Sequence, residues 1–248
     1  MAIDMKAMRA KLSALKNGGG NRNVFWRPQD GDQDIRIVSP EDGDPFKDFY
    51  FHYNVGNNSG FLCPKKNFGD DCAVCSFVRS LYDEGTEESI KMAKSLTARQ
   101  RFFSPVVVRG EEREGVRIWG YGKTAYETLL NLVLNPDYGD ITDLEEGTDL
   151  TLNYGKPAGA AYPQTKIQPR RRTSALVDSP EQVAELIDNI PEFQSLFDKK
   201  TPAEVETLLD AFLSDDEDAE SRSSESHRYG TSEKETSTVD EAFDQLLA

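Results

Sequence analysis

Four residues in one stretch of the chain have the types and spacing for metal binding. His52, Cys63, Cys72 and Cys75 lie between Phe49 and Phe77 in the pattern His-x10-Cys-x8-Cys-x2-Cys, and they include every cysteine of the chain and one of its two histidines. One imidazole and three thiolates are the donors that a closed tetrahedral site for one structural zinc ion takes. Cys72-Ala-Val-Cys75 is a short turn that lets two sulfurs face one ion, and Asn57-Asn58-Ser59-Gly60 and Asn67-Phe68-Gly69 supply the turns that return the other two ligands. Soft sulfur favours zinc or an iron–sulfur cluster over magnesium or calcium. A full donor set leaves no position for water or substrate, so such an ion holds a fold together and activates no nucleophile. The other readings are three buried structural cysteines, or a Cys72/Cys75 redox pair, for which the usual βαβ context is missing.

A second chemistry lies in the interleaving of aromatic and basic residues further along. Phe102, Phe103, Trp119, Tyr121 and Tyr126 could stack on bases, and Arg99, Arg101, Arg117 and Lys123 could follow a phosphate backbone. In a strand, alternate residues share a face, so Arg117, Trp119 and Tyr121 project together. The same rings could equally fill a core, where most aromatics sit. Gly120 and Gly122 beside them favour a surface that another backbone or a ligand approaches. Arg170-Arg171-Arg172 forms a basic run that reads either as a solvated loop or as a phosphate contact.

The elements that must position these groups follow from periodicity. Residues 1–16 carry Met5, Met8, Leu12 and Leu15 at helical spacing with Lys6, Arg9 and Lys11 between them, and Gly18-Gly19-Gly20 forms a joint. That describes either an amphipathic helix on its own domain or an arm over residues 1–20 that docks elsewhere. Short β-like runs follow at 24–26, 34–38, 46–51, 104–109, 116–123 and 149–154, with helices expected at 76–82, 87–98 and 125–134. Ser179-Pro180-Glu181-Gln182 and Thr201-Pro202-Ala203-Glu204 each read as a capped helix start. Residues 21–213 are thus expected to form a folded core with a metal-binding subdomain at about 46–84.

Residues 214–248 differ in composition. They hold eleven acidic and three basic residues, so a net −8 of the chain's −15 sits there. Ser214 to Thr238 has almost no core-forming residues and is expected to be disordered, whereas Val239, Phe243, Leu246 and Leu247 recur at helical spacing and read as a short segment that folds on a partner. With this tail set aside, the whole-chain charge says little about the field at a basic groove. The hydrophobic fraction of 37% also fits a chain of 248 residues that is only partly globular. No apolar run approaches the length of a membrane span, and with no secretory signal and an odd cysteine count the reading is a soluble protein of a reducing compartment.

These features together resemble the T-even-type bacteriophage single-stranded DNA-binding proteins, the helix-destabilising proteins of phage replication. The resemblance is carried by the basic N-terminal segment, Asp34-Ile35-Arg36-Ile37, the loop from Phe46 to Cys75 with its His/Cys/Cys/Cys order, Arg99 to Phe103, Trp119-Gly120-Tyr121-Gly122-Lys123 with Tyr126, and the acidic tail with an apolar tip. It implies a mixed α+β fold: an oligonucleotide-binding (OB-fold-like) β-barrel with an inserted zinc subdomain, peripheral helices and a disordered acidic tail. A positively charged cleft would lie between barrel and zinc subdomain, with Arg99, Arg101, Phe102, Phe103, Trp119, Tyr121, Lys123 and Tyr126 in it. His52, Cys63, Cys72 and Cys75 would hold the zinc. The N-terminal arm would mediate self-association along DNA, the tail would contact replication and recombination proteins, and the site of action would be the cytoplasm of an infected bacterial host.

The expected function is therefore cooperative, sequence-independent coating of single-stranded DNA in viral replication, recombination and repair, without catalysis. The sequence has no Gly-rich phosphate loop, no paired catalytic carboxylates and no Cys–His pair outside the metal set. A zinc deaminase would need His-x-Glu at the ligand, but Tyr53-Asn54 follow His52. The remaining alternative is a zinc-stabilised protein–protein adaptor that does not touch nucleic acid. Direct DNA affinity separates the two.

Overall fold

A computed structural model describes residues 24–56, 58–160 and 163–223, together with Ala242, Phe243 and Leu246. The elements in chain order begin with strands β1 (Phe25–Trp26), β2 (Gly31–Ile37), β3 (Lys47–Val55) and β4 (Asn58–Leu62), and helices α1 (Pro64–Phe68), α2 (Ala73–Glu84) and α3 (Glu87–Leu96). After them come β5 (Arg99–Val108), β6 (Arg117–Tyr121), α4 (Lys123–Val133), β7 (Gly147–Gly155), β8 (Gln164–Ser174), α5 (Pro180–Asp188) and α6 (Pro202–Ser223). The fold is mixed α+β, as expected. The chain divides into two compact units, one made of Met1–Asp48 and Phe102–Leu196, the other of Phe49–Arg101 and Phe197–Ala248.

In the first unit the strands pair in the order β1-β6-β5-β2-β7-β8. Among these pairs, as far as the described residues run, β1–β6 is parallel and the rest are antiparallel. This is the large sheet of the mixed α+β fold. β5 is buried on both faces from Phe102 to Val108, which is why it reads as a nearly unbroken apolar run. Ile35, Ile37, Leu150, Leu152, Val106 and Leu129 build the core around it together with the aromatic residues of β5 and β6. The basic run Arg170 to Arg172, read either as a solvated loop or as a phosphate contact, lies in β8 at the edge of the sheet. Its partly buried side carries Thr165, Ile167 and Pro169, too little apolar content to announce a strand. Charged residues on an edge strand also discourage pairing with other chains.

A buried ionic network ties β2, β5, β7 and β8 together. Arg36 on β2 has no solvent exposure, and its Nε donates to Asp149 Oδ1 at 2.9 Å. Its other nitrogens donate to the Asp143 carbonyl at 3.1 Å and to the Ser174 carbonyl and hydroxyl, both at 2.9 Å. Arg109, just past β5, donates to the same Asp149 oxygen through Nε at 3.0 Å and Nη2 at 2.8 Å. Ser174 Oγ, at the end of β8, donates to the second Asp149 oxygen at 3.1 Å. Burial holds the Arg36 pKa below its ordinary value, with Asp149 opposing that shift. Gly147 leaves room for the network, since a Cβ there would lie 2.6 Å from Arg36 Nη1.

The second unit is built on the β3–β4 hairpin, in which Phe51, His52 and Tyr53 face Leu62, Phe61 and Gly60. α2 and α3 pack with α6 over a core of Val55, Phe61, Val74, Leu81, Ala93, Leu96, Val205 and Leu209. Thr86 caps α3, its Oγ1 accepting from Ser89 N at 3.1 Å. The expected box at the start of α6 is present: Thr201 N donates to Glu204 Oε2 at 2.7 Å, and Glu204 N donates to Thr201 Oγ1 at 3.3 Å. Ser179 precedes α5 but does not cap it, because its hydroxyl donates to Glu181 instead. α6 runs to Ser223, so the boundary expected after residue 213 falls inside a helix.

Candidate metal centre and nucleic-acid interface

The four expected metal ligands converge. His52 comes from β3, Cys63 immediately precedes α1, Cys72 immediately precedes α2, and Cys75 lies in its first turn. The donor atoms all fall within 4.8 Å of one another. Cys72 Sγ and Cys75 Sγ lie 3.5 and 3.4 Å from His52 Nε2, and Cys63 Sγ lies 3.4 Å from Cys75 Sγ. Tetrahedral zinc, at about 2.3 Å from sulfur and about 2.0 Å from nitrogen, sets its ligand edges near 3.5 Å for N···S and near 3.8 Å for S···S. The cluster therefore has the size of a closed four-ligand site and can hold a metal ion.

The surroundings orient the donors. His52 Nδ1 lies 2.8 Å from the Leu96 carbonyl, which can only accept, so the proton sits on Nδ1 and Nε2 faces the sulfurs. Cys63 Sγ accepts from Lys66 N at 3.4 Å. Asn67 fastens the loop by donating to the Tyr50 and Cys63 carbonyls at 2.7 and 2.9 Å and accepting from Tyr50 N at 2.9 Å. Gly69 closes α1 at φ 79°, a left-handed conformation that glycine adopts without strain.

Electrostatics give the same reading. Burial would lower the His52 pKa, but its hydrogen bonds to Cys63 and Cys72 outweigh burial and raise it to about 9. Hydrogen bonds from the Cys72 and Cys75 thiols hold the Cys63 pKa far below the ordinary thiol range, while contact with Cys63 and Cys72 pushes Cys75 far above it. The pocket thus stabilises the Cys63 thiolate and resists that of Cys75. Three thiolates together need a cation among them.

The residues expected to stack on bases are placed differently. Phe102, Phe103, Trp119 and Tyr121 are 3%, 0%, 1% and 5% exposed, so the surface platform expected from Trp119 and Tyr121 is turned into the core. Strand β6 is covered on the face that Trp119 and Tyr121 share; Trp119 lies 4.4 Å from Tyr121 and meets Trp26 edge-on at 6.4 Å. The Tyr121 hydroxyl is hydrogen-bonded to Ser104 Oγ at 2.7 Å, and burial raises its pKa. Tyr126, on α4, is only partly buried and lies flat on Phe102 at 3.9 Å and 13°, with Phe46 edge-on at 6.1 Å. It is the outermost ring of that stack.

Several expected cations reach solvent. The Lys123 side chain is 79% exposed and lies 3.5 Å from Glu127. Arg99 is exposed and donates to the Lys94 carbonyl at 3.2 Å, while Arg117 is held by Glu111. Arg170, Arg171 and Arg172 are all exposed on β8, with Arg170 paired to Asp34 of β2. Arg101 is half-buried and lies over the Phe243 ring at 4.6 Å. Phe243 itself is buried, so this part of the tail tip, expected to fold on a partner, packs on its own chain. Leu246 is half-buried. Lys6, Arg9, Lys11 and Leu247 lie outside the described residues.

A hairpin unit whose His/Cys cluster can hold a metal ion, and a largely antiparallel sheet whose edge strand displays cations, are features that suit the class of DNA-binding proteins. Residues 29–213 match the family model described as gp32 DNA binding protein like, and the chain belongs to that family, the single-stranded DNA-binding proteins of the phage type that the sequence resembles. A comparison with curated proteins finds no match.

Proposed function

We propose that this chain coats single-stranded DNA cooperatively and without regard to sequence, in viral replication, recombination and repair, with one structural zinc ion on His52, Cys63, Cys72 and Cys75. Membership of the gp32-like family over residues 29–213, a span that takes in the whole metal cluster and the exposed cations, is the observation that carries this reading. Arg99, Lys123 and Arg170 to Arg172 serve as phosphate contacts, which hold a strand without reading its bases. Arg117 joins them by exchanging Glu111 for a phosphate. Tyr126 offers a stacking face, and the buried Phe102, Phe103, Trp119 and Tyr121 act from beneath it by fixing the sheet. Lys6, Arg9 and Lys11 form the arm that touches a neighbouring copy. The tail, with Phe243, Leu246 and Leu247, recruits replication and recombination proteins in the cytoplasm of the infected host. No step of this function is catalytic.

The test is equilibrium binding of a labelled oligo-dT across a salt series, read by anisotropy, because Trp26 and Trp119 are buried and poorly placed to report base stacking directly. Tight binding whose logarithm falls steeply with log salt supports the coat, since each neutralised phosphate of a single strand contributes a slope of about −0.7. No binding by the zinc-loaded chain at low salt overturns it, and the adaptor reading takes its place.

A further inference from the structure

The His/Cys cluster also brings two sulfurs into position for a bond of their own. Cys63 Sγ lies 3.4 Å from Cys75 Sγ. A disulfide measures about 2.05 Å, so the pair has to close by only about 1.4 Å. The two residues sit on separate supports, Cys63 immediately before α1 and Cys75 in the first turn of α2, so closure is a small relative shift of two helix starts. Access differs among the three sulfurs. Cys63 and Cys72 are 0% and 2% exposed, whereas Cys75 is half-buried. A small oxidant from solution therefore meets Cys75 first, and Cys63 is the sulfur in contact with it. No cysteine lies outside the cluster, so any disulfide within the chain must take two of the four donors. One sulfur and His52 are then left, and two donors do not hold a tetrahedral zinc ion.

We infer that Cys63 and Cys75 form a redox switch: peroxide joins them as a disulfide, and the cluster then gives up its ion. The switch rests on the reading that the cluster holds zinc. The Cys75 thiolate attacks one oxygen of hydrogen peroxide, and an S–O bond forms as the O–O bond breaks. Hydroxide leaves and takes up a proton to become water, and Cys75 is left as the sulfenic acid. The Cys63 thiolate then attacks the Cys75 sulfur, the S–S bond forms as the S–O bond breaks, and a second hydroxide departs as water. The two sulfurs have lost two electrons and the peroxide has gained them. A thiol reductant reverses the exchange and restores the donors. The bridge joins the same two helix starts that the ion joins, while His52 on β3 loses its tie to them. Oxidation therefore frees the strand from the helices without parting the helices from each other. In a reducing compartment the thiols are kept and the cluster stays loaded.

The experiment treats the zinc-loaded full-length chain with excess hydrogen peroxide beside a chromogenic zinc chelator, with a peroxide-free sample as the baseline. Thiols are counted after denaturation, and the linked peptides are mapped by mass spectrometry. Zinc release and thiol loss proceed together: the ion is lost completely, the thiols fall from three to one, and the joined peptides are those of Cys63 and Cys75. Dithiothreitol with added zinc then returns all the thiols and the ion. A bridge between Cys72 and Cys75, or a sulfinic acid at Cys75 that dithiothreitol does not reduce, overturns the switch and leaves the zinc site and the coating function standing. Retention of zinc and of every thiol, under peroxide that oxidises a free cysteine peptide, overturns it too. A freshly purified chain whose thiols are all free and which neither contains nor takes up zinc removes the zinc reading and the switch together.

Discussion

Asp149→Asn tests how the sheet of the first unit holds its edge. The Asp149 side chain is 10% exposed, and its carboxylate receives both Arg36, which is wholly buried, and Arg109, at 2.8 to 3.0 Å. The amide keeps the shape but removes the charge, and its NH2 group faces donors. Two guanidinium groups then share a buried site without a counter-charge, a loss that costs about 3–5 kcal/mol when one partner of a buried ion pair is removed. In a domain of 150–250 residues each kcal/mol moves the midpoint by about 2–4 °C, so thermal unfolding should shift down by about 6–20 °C. The assay reads tryptophan fluorescence, since Trp26 and Trp119 both lie in the core of this unit. Arg170→Ala is the control: its pair with Asp34 is solvent-exposed, and such pairs contribute about 1 kcal/mol or less. A midpoint within about 3 °C of the parent for Asp149→Asn would refute the claim that this network holds β7 and β8 to the sheet.

The other predictions concern the metal and the charged edge. Metal analysis of the purified chain should find one zinc per molecule, and Cys75→Ser should lose it and with it the protease resistance of residues 49–101; a zinc-free parent resistant to protease would count against a structural ion. The sign of the pH dependence follows from His52, raised to about 9: at pH 7.5 its imidazole holds a proton that zinc must displace, so uptake releases it together with thiol protons and tightens as pH rises towards 9. Calorimetry in buffers of different ionisation enthalpy reads that release, and proton-neutral uptake would contradict it. Replacing Arg170, Arg171 and Arg172 together by Ala should make the oligo-dT salt slope shallower by about 2, from three lost contacts at about 0.7 each, with stability nearly unchanged.

What the amino-acid order revealed, and what it concealed, follows from the range of each interaction. The cluster that can hold a metal ion was readable because it takes all three cysteines of the chain and one of its two histidines within 24 residues, from His52 to Cys75. The start of α6 was readable for the same reason, since the Thr201/Glu204 box is local. Arg36 and Asp149 are 113 residues apart, and nothing near either one announces the other. The aromatic residues of β5 and β6 misled because interleaved rings and cations look alike on a surface and in a strand covered on both sides. The signal that could have decided it was the run from Phe102 to Val108, which marks β5 as buried on both faces and places its β6 neighbours inside too. The apolar stripe at the tail tip was visible, but the contacts of Phe243 with Tyr53 and Arg101 are assembled only by folding.

The division of the chain into units also bears on how the protein is made. Each unit is discontinuous: the chain leaves the first after Asp48, returns at Phe102 and leaves again after Leu196. Neither unit exists as one contiguous fragment, so a single cut in a connecting loop cannot free either. Synthesis meets the same constraint. All four metal ligands have emerged once Cys75 is translated, yet Val205 and Leu209, which complete the core beside them, are made only after the whole of the first unit's second segment. For that interval the nascent hairpin is held by its packing with α2 and α3 and by a cluster that can take a metal ion, while the hydrophobic face that Val205 and Leu209 complete is left to the ribosome's surroundings.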